Sequence, residues 1–94
     1  MTSKQRAYLR KEANTLDAVF QIGKNGIDKN LIKGLDEVIT ARELIKVTVH
    51  ETSEFSAREL AQRLASSLDG EIVQVIGRKI VLYRRNRKIG KYGV

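Results

Sequence analysis

The stretch AVFQIGKNGIDKNLIKGLDEVITARELIKVTVH, Ala18 to His50, decides the fold. Its first five residues, Ala18 to Ile22, read as a short strand that stops at Gly23-Lys24-Asn25-Gly26. A helix follows from Lys29 to Arg42. Asp28 is its N-cap, Ile27 is placed to staple onto Ile32, and Leu31, Ile32, Leu35, Val38 and Ile39 fall on one face at 3.6-residue spacing. Gly34 interrupts this helix at a cost of about 1 kcal/mol and reads as a tolerated glycine. Leu44 to His50 then alternates, with Ile45, Val47 and Val49 on one side and Lys46, Thr48 and His50 on the other. That pattern gives a strand with one buried and one polar face.

Outward from this unit the punctuation stays clear. Thr2 and Gln5 have capping-box spacing for a first helix from Ser3 to Thr15, whose apolar stripe is Leu9, Ala13 and Leu16. A third helix begins at Ser56. Glu59 completes a capping box, Phe55 is placed to staple onto Leu60, and Ala57, Leu60, Ala61, Leu64 and Leu68 form its buried stripe. Asp69-Gly70 ends it, with Gly70 suited to the left-handed position. Ile72 to Ile76 and Lys79 to Arg84 are strands joined by Gly77-Arg78, the signature of a type II′ hairpin.

The order is α-β-α-β-α-β-β. Two right-handed crossovers progressing the same way place the second and third helices on one face of the sheet. The fold expected is an α/β (α+β) two-layer sandwich with a mixed four-stranded sheet, residues 1–84. Residues 85–94 lack periodicity and read as a basic tail with no packing role. Pattern does not place the first helix.

A chain of 94 residues supports one small core. Zero cysteines exclude a disulfide framework, a zinc ribbon and a thiol nucleophile, and a single histidine, His50, excludes a multi-histidine metal centre. No apolar run approaches a membrane span and no signal peptide is present, so the cytoplasm is the expected compartment. The net charge of +7 is unevenly placed. Residues 1–71 hold eleven bases and eleven acids. Residues 72–94 hold Arg78, Lys79, Arg84, Arg85, Arg87, Lys88 and Lys91 with no acid, and residues 1–11 add Lys4, Arg6, Arg10 and Lys11. Acid-free basic segments of this kind point to a polyanion.

The glycine loop offers a means of holding one. Two glycines let the chain turn tightly and approach another backbone, and the following helix presents unpaired N–H groups. Lys24 adds a mobile cation and Asn25 a polar group. Lys29 and Lys33 stand in the first turns of the helix, away from its apolar stripe, where the helix dipole disfavours cations. Folding gives no reason for that placement; an incoming phosphate does.

Four ordered blocks extend the argument: Thr-Ser-Lys-Gln-Arg-Ala-Tyr-Leu-Arg at 2–10, Gln-Ile-Gly-Lys-Asn-Gly-Ile at 21–27, Arg-Glu-Leu-Ile-Lys-Val at 42–47 and Val-Ile-Gly-Arg-Lys-Ile-Val-Leu-Tyr-Arg at 75–84. With them the chain resembles the CRM domain, named for chloroplast RNA splicing and ribosome maturation, in its stand-alone bacterial YhbY-like form. The resemblance implies a fold similar to the C-terminal domain of bacterial translation initiation factor three. It implies binding of structured RNA, ribosomal RNA in precursor large subunits, by a monomeric assembly factor that needs no cofactor, metal or small-molecule substrate. The family's G-x-x-G falls on Gly23, Lys24, Asn25 and Gly26, and the flanking basic surface on Lys4, Arg6, Arg10, Lys29, Lys33, Arg78, Lys79, Arg84, Arg85, Arg87 and Lys88.

Other functions fit less well. Glu51 and Glu54 lie near His50, but no Ser/His/Asp set or Walker loop is present, so an enzyme is not expected. An Alba-like dimeric nucleic-acid-coating protein shares the size and charge, yet its loop typically contains a proline and this chain has none. A permanent ribosomal component is the third reading. Five aromatics, Tyr8, Phe20, Phe55, Tyr83 and Tyr92, are too few for a multi-base stacking platform, so contact to phosphate and shape is expected.

Overall fold

The structure, a computed structural model, describes residues 1–94. Its elements are α1 (Ser3–Ala13), β1 (Ala18–Ile22), α2 (Lys29–Arg42), β2 (Leu44–Val49), α3 (Ala57–Leu68), β3 (Glu71–Ile76) and β4 (Lys79–Tyr83). No helix is long and apolar enough to cross a membrane.

The strand order is β1-β2-β4-β3. β1 runs parallel to β2, while β4 pairs antiparallel with both β2 and β3. The final hairpin thus folds inward, so the last strand lies inside the sheet. Gly77 takes φ +56°, Arg78 does not take a positive φ, and Ile76 pairs with Lys79. One positive φ at the first loop position is what a type II′ turn needs.

α2 and α3 cover one face as the crossover rule requires. Leu35 and Ile39 from α2 meet Leu60, Ala61, Leu64 and Leu68 from α3 over Ile45, Val47, Val49, Ile80 and Leu82. Full burial of such a side chain stabilises by roughly 1.5–3 kcal/mol. The undecided first helix lies on the opposite face, where Leu9 and Ala13 pack with Leu44, Val73, Val81 and Tyr83. That second face is apolar only beneath α1. Toward the other end of the sheet it bears half-exposed Lys46 and Thr48 and exposed Lys79.

Local signals were realised with a few departures. Thr2 and Gln5 form the full capping box, and α1 gives way to a turn after Ala13. Ser56 Oγ accepts the Glu59 N–H at 3.1 Å, but the Glu59 carboxylate receives the Ser56 hydroxyl and not its N–H, so only half of that box forms. The left-handed residue closing α3 is Asp69, at φ +53°, and not Gly70. Gly70 serves a different need: a Cβ there would lie 3.3 Å from the Tyr83 carbonyl oxygen. Gly34 is more than tolerated, because a Cβ would come within 2.8 Å of Phe20 Cζ. The Phe20 ring from β1 packs onto α2 at that point, so a side chain there would have to displace it.

The largest correction concerns residues 85–94, which are not a loose tail. Glu43 is fully buried at φ +66°, and its two carboxylate oxygens accept the N–H groups of Asn86 and Lys91, each at 2.8 Å. Asn86 Nδ2 donates to the Thr40 carbonyl at 2.7 Å, and the Asn86 carbonyl accepts from Ile89 and Gly90. Tyr92 meets the Tyr83 ring edge-on at 6.2 Å, and Tyr83 donates its hydroxyl to the Val94 carbonyl at 2.8 Å. Burial, with the Glu43 charge adding to it, holds the Tyr83 phenol above its ordinary pKa, against the lowering pull of Arg85. The segment is closed by partners some forty residues away, which periodicity does not reveal.

Candidate nucleic-acid interface

Residues 23–26 form a tight turn closed by the Gly26 N–H on the Gly23 carbonyl at 3.1 Å. Lys24 and Asn25 occupy its exposed tip, and their backbone N–H groups have no acceptor within the protein. The two glycines have different reasons to be there. Gly26 sits at φ +76°, and a Cβ would lie 3.1 Å from Phe55 Cε2. Gly23 has an ordinary φ and open space where a Cβ would go. Folding requires glycine at 26 and not at 23.

The base of the turn is anchored by the His50 N–H, which donates to the Ile22 carbonyl at 2.8 Å. The His50 ring is itself engaged locally, with Nδ1 accepting the Thr52 N–H at 3.1 Å and lying 2.7 Å from the Thr52 hydroxyl. Its role is to shape the loop after β2. No three His, Cys, Asp or Glu side chains converge to hold a metal ion.

The N-terminus of α2 is already occupied. Asp28 accepts the Leu31 N–H at 2.8 Å, so a carboxylate of the protein fills the place where the helix dipole would draw a phosphate. The expected helix-end contribution therefore gives way to side-chain cations and loop N–H groups. Lys29 and Lys33 are exposed, and neither forms an ion pair; the protein has two, Arg78 with Glu51 at 3.3 Å and Arg84 with Asp36 at 2.7 Å.

Arg63 joins this surface and was not among the residues expected there. Its guanidinium lies 4.8 Å from the centroid of the Phe55 ring, the same ring that underlies Gly26. An open groove between α2 and α3 continues from it, with Ile27 at the junction, Lys29 and Lys33 beside Asp28 and Asp36 on one bank and Arg63 beside Glu59 on the other, so its lining carries both signs of charge. The signal was readable. Glu59 and Arg63 are four apart on α3 and so share a side of the helix, and Phe55, just before the N-cap Ser56, folds back beneath them.

The remaining expected residues are distributed unevenly. Arg78 and Lys79 lie at the same end of the sheet as the glycine loop, since Val49 donates its N–H to the Arg78 carbonyl at 2.7 Å and Lys79 pairs with Thr48. Lys4 and Arg10 are exposed on α1, whereas Arg6 is half-buried with Nε donating to the Ile72 carbonyl at 3.4 Å. Arg84 departs most from expectation. Its guanidinium is spent on Asp36, the Leu68 carbonyl and the Thr40 hydroxyl, which ties α2, α3 and β4 together. Arg85, Arg87 and Lys88 are exposed at the opposite end of the sheet from the loop.

Comparison with known proteins agrees with this architecture. The family model of the CRS1 / YhbY (CRM) domain matches residues 1–84. The chain is 40% identical over 88 residues to the probable RNA-binding protein YqeI of Bacillus subtilis, covering 94% of this chain and 92% of that one. It is 36% identical over 94 residues to a probable RNA-binding protein of Methanocaldococcus jannaschii, covering 98% of this chain and 69% of the relative. The solution structure of a hypothetical protein from Staphylococcus aureus superposes with a TM-score of 0.80 at 46% identity, covering 93% of this chain and 91% of that one.

Proposed function

Since the chain belongs to the CRS1 / YhbY (CRM) domain family, we propose that it binds structured RNA, with the turn at Gly23 to Gly26 as the point of closest backbone approach. The observation that supports this most is the unpaired state of Lys24, Lys29 and Lys33 beside two free loop N–H groups. None of the three lysines contributes to the core, and Lys29 opposes the helix dipole. A phosphate backbone laid across the turn satisfies the N–H groups and neutralises the cations together. Gly23, which folding does not require, leaves that approach free of a side chain. With few exposed aromatics, recognition rests on phosphate and shape.

The RNA in this reading is ribosomal, in precursors of the large subunit, and the protein acts as a cytoplasmic assembly factor. The family resemblance and the net charge of +7 support that assignment. In cells, crosslinked RNA should come from precursor large-subunit particles. Enrichment on mature translating ribosomes would point to a permanent component instead.

The binding surface is tested by Lys24→Ala combined with Lys29→Ala, against Lys46→Ala on the half-exposed face of β2. If about six cations meet phosphates, log K against log salt has a slope of roughly −4 to −5 for the wild type, and each lost contact makes it less negative by roughly 0.7–0.9. A loop pair that binds as tightly as wild type, with Lys46→Ala abolishing binding, would move the RNA to the open sheet face.

A further inference from the structure

The basic residues form two separated poles, and we propose that one copy of the protein holds two distinct RNA backbones, one at each end of its sheet. This rests on the RNA-binding reading above and goes beyond it by assigning a second site of the same chemistry. The first pole is the glycine loop with Lys24, Lys29 and Arg63. The second is the turn that presents Arg85, Arg87 and Lys88.

Three observations lead to the second pole. Its cations are exposed, belong to neither ion pair of the protein, and line a depression with Thr40 and Asn86 that contains no acid. Its backbone is built rather than loose. Glu43 clasps the N–H groups of Asn86 and Lys91, Asn86 reaches the Thr40 carbonyl, and the Asn86 side-chain oxygen accepts the Lys88 N–H at 3.0 Å. A segment serving only as a diffuse positive cloud needs no such bracing, whereas a site that fits a phosphate track gains affinity from pre-ordering. Lastly, the pole faces away from the loop. β2 runs from Leu44 beside Tyr83 to Val49 beside the loop base, so roughly 17 Å of strand separates the two ends. The molecule is 36 Å in its longest dimension.

A single RNA passing over α2 would touch both poles only by crossing unfavourable ground. Lys29 and Lys33 occupy the first turns of the helix and Arg42 its last, but between them lies exposed Glu37, which belongs to neither ion pair. Like charge between carboxylate and phosphate interrupts the track there. Two backbones, each neutralised at its own end, avoid that crossing.

The probe is a short RNA hairpin of about four base pairs, whose stem is shorter than the separation of the poles, mixed with the full chain and weighed by native mass spectrometry at low salt. Wild type should give a complex of one protein with two hairpins. Lys24→Ala with Lys29→Ala, and separately Arg87→Ala with Lys88→Ala, should each stop at one hairpin; all four side chains are exposed and make no hydrogen bond in the fold. A wild type that stops at one hairpin would overturn the two-site assignment while leaving RNA binding intact. So would either pair of substitutions abolishing the one-hairpin complex, which would reveal one continuous surface. Failure of the wild type to bind any hairpin would remove the RNA reading itself, and the bridge with it.

Discussion

The glycine loop at 23–26 and the C-terminal turn at 85–94 look alike as sequence: short, basic, aperiodic and punctuated by two glycines each. They differ in where their hydrogen bonds go. The loop closes on itself, Gly26 to Gly23, and leaves N–H groups to spare. The C-terminal turn has local bonds of its own around Asn86, but it is held to the domain by Glu43 and Thr40, more than forty residues away, and by Tyr83. A locally closed segment announces its shape in its residue types. A segment closed at long range announces nothing until its acceptor is known. Exposed cations follow in both cases, but in the second they are fixed by the core.

The largest effect that would break this contrast is expected at Glu43. Replacing it with alanine leaves two part-buried N–H groups without their acceptor, at roughly 1–2 kcal/mol each. In a domain of this size that lowers the melting temperature by about 10–20 °C. Glu43→Gln, which keeps one acceptor oxygen, should lose about half as much. Thermal unfolding of both, and of a chain cut after Arg84, measures it. If truncation leaves the melting point unchanged, the C-terminal turn is a tail after all.

Next come the two loop glycines. Gly26→Ala forces a side chain to a positive φ and against Phe55, and should destabilise by about 1–3 kcal/mol. Gly23→Ala meets nothing and should stay within about 0.5 kcal/mol of wild type while weakening RNA binding. Denaturant unfolding and a binding titration on both variants separate the glycine that folding needs from the one that RNA needs. Equal destabilisation by the two would end that distinction.

Gly34→Ala is a smaller test. The new methyl must displace the Phe20 ring, an overpacking cost of roughly 1–3 kcal/mol, offset by about 1 kcal/mol of helix propensity. A net loss is expected in thermal unfolding, and a net gain would restore the view that this glycine is merely tolerated.

The smallest effect is a pH dependence. The folded state holds the Tyr83 phenol above its ordinary value of 10.0, so it retains its proton where the unfolded chain has lost it. The stability from this group is fully present below about pH 10 and is lost as pH rises through the folded value. Tyr83→Phe should lose the hydrogen bond to Val94, about 1 kcal/mol at neutral pH, and show a shallower alkaline decline. An identical alkaline decline in both proteins would rule out Tyr83 as its source.

What was legible in the sequence follows the same division. The three helices, four strands and hairpin turn were readable because caps, apolar periods and a Gly-x loop act within a few residues. The side of the sheet that α1 covers was not, since Leu44 and Val73 belong to a second apolar patch made by alternate residues of strands already assigned to the first core. At the candidate site Lys24 and Lys29 were visible as cations in the wrong place for a helix. Arg63 stood outside the expected set, and the internal partners of Arg84 were hidden because Asp36, Thr40 and Leu68 come from two other elements.

The inward fold of β4 has a consequence for synthesis. Translation delivers α1, β1, α2 and β2 before the last two strands, yet β2 and β3 have no link across the sheet until residues 79–83 leave the ribosome. The platform for α1, which precedes every strand in the chain, includes Val81 and Tyr83. Nascent chains that end before Lys79 therefore lack both the central strand and the docking surface of the first helix. Closure of the sheet and docking of α1 both wait for residues 79–83, the contacts of longest sequence separation.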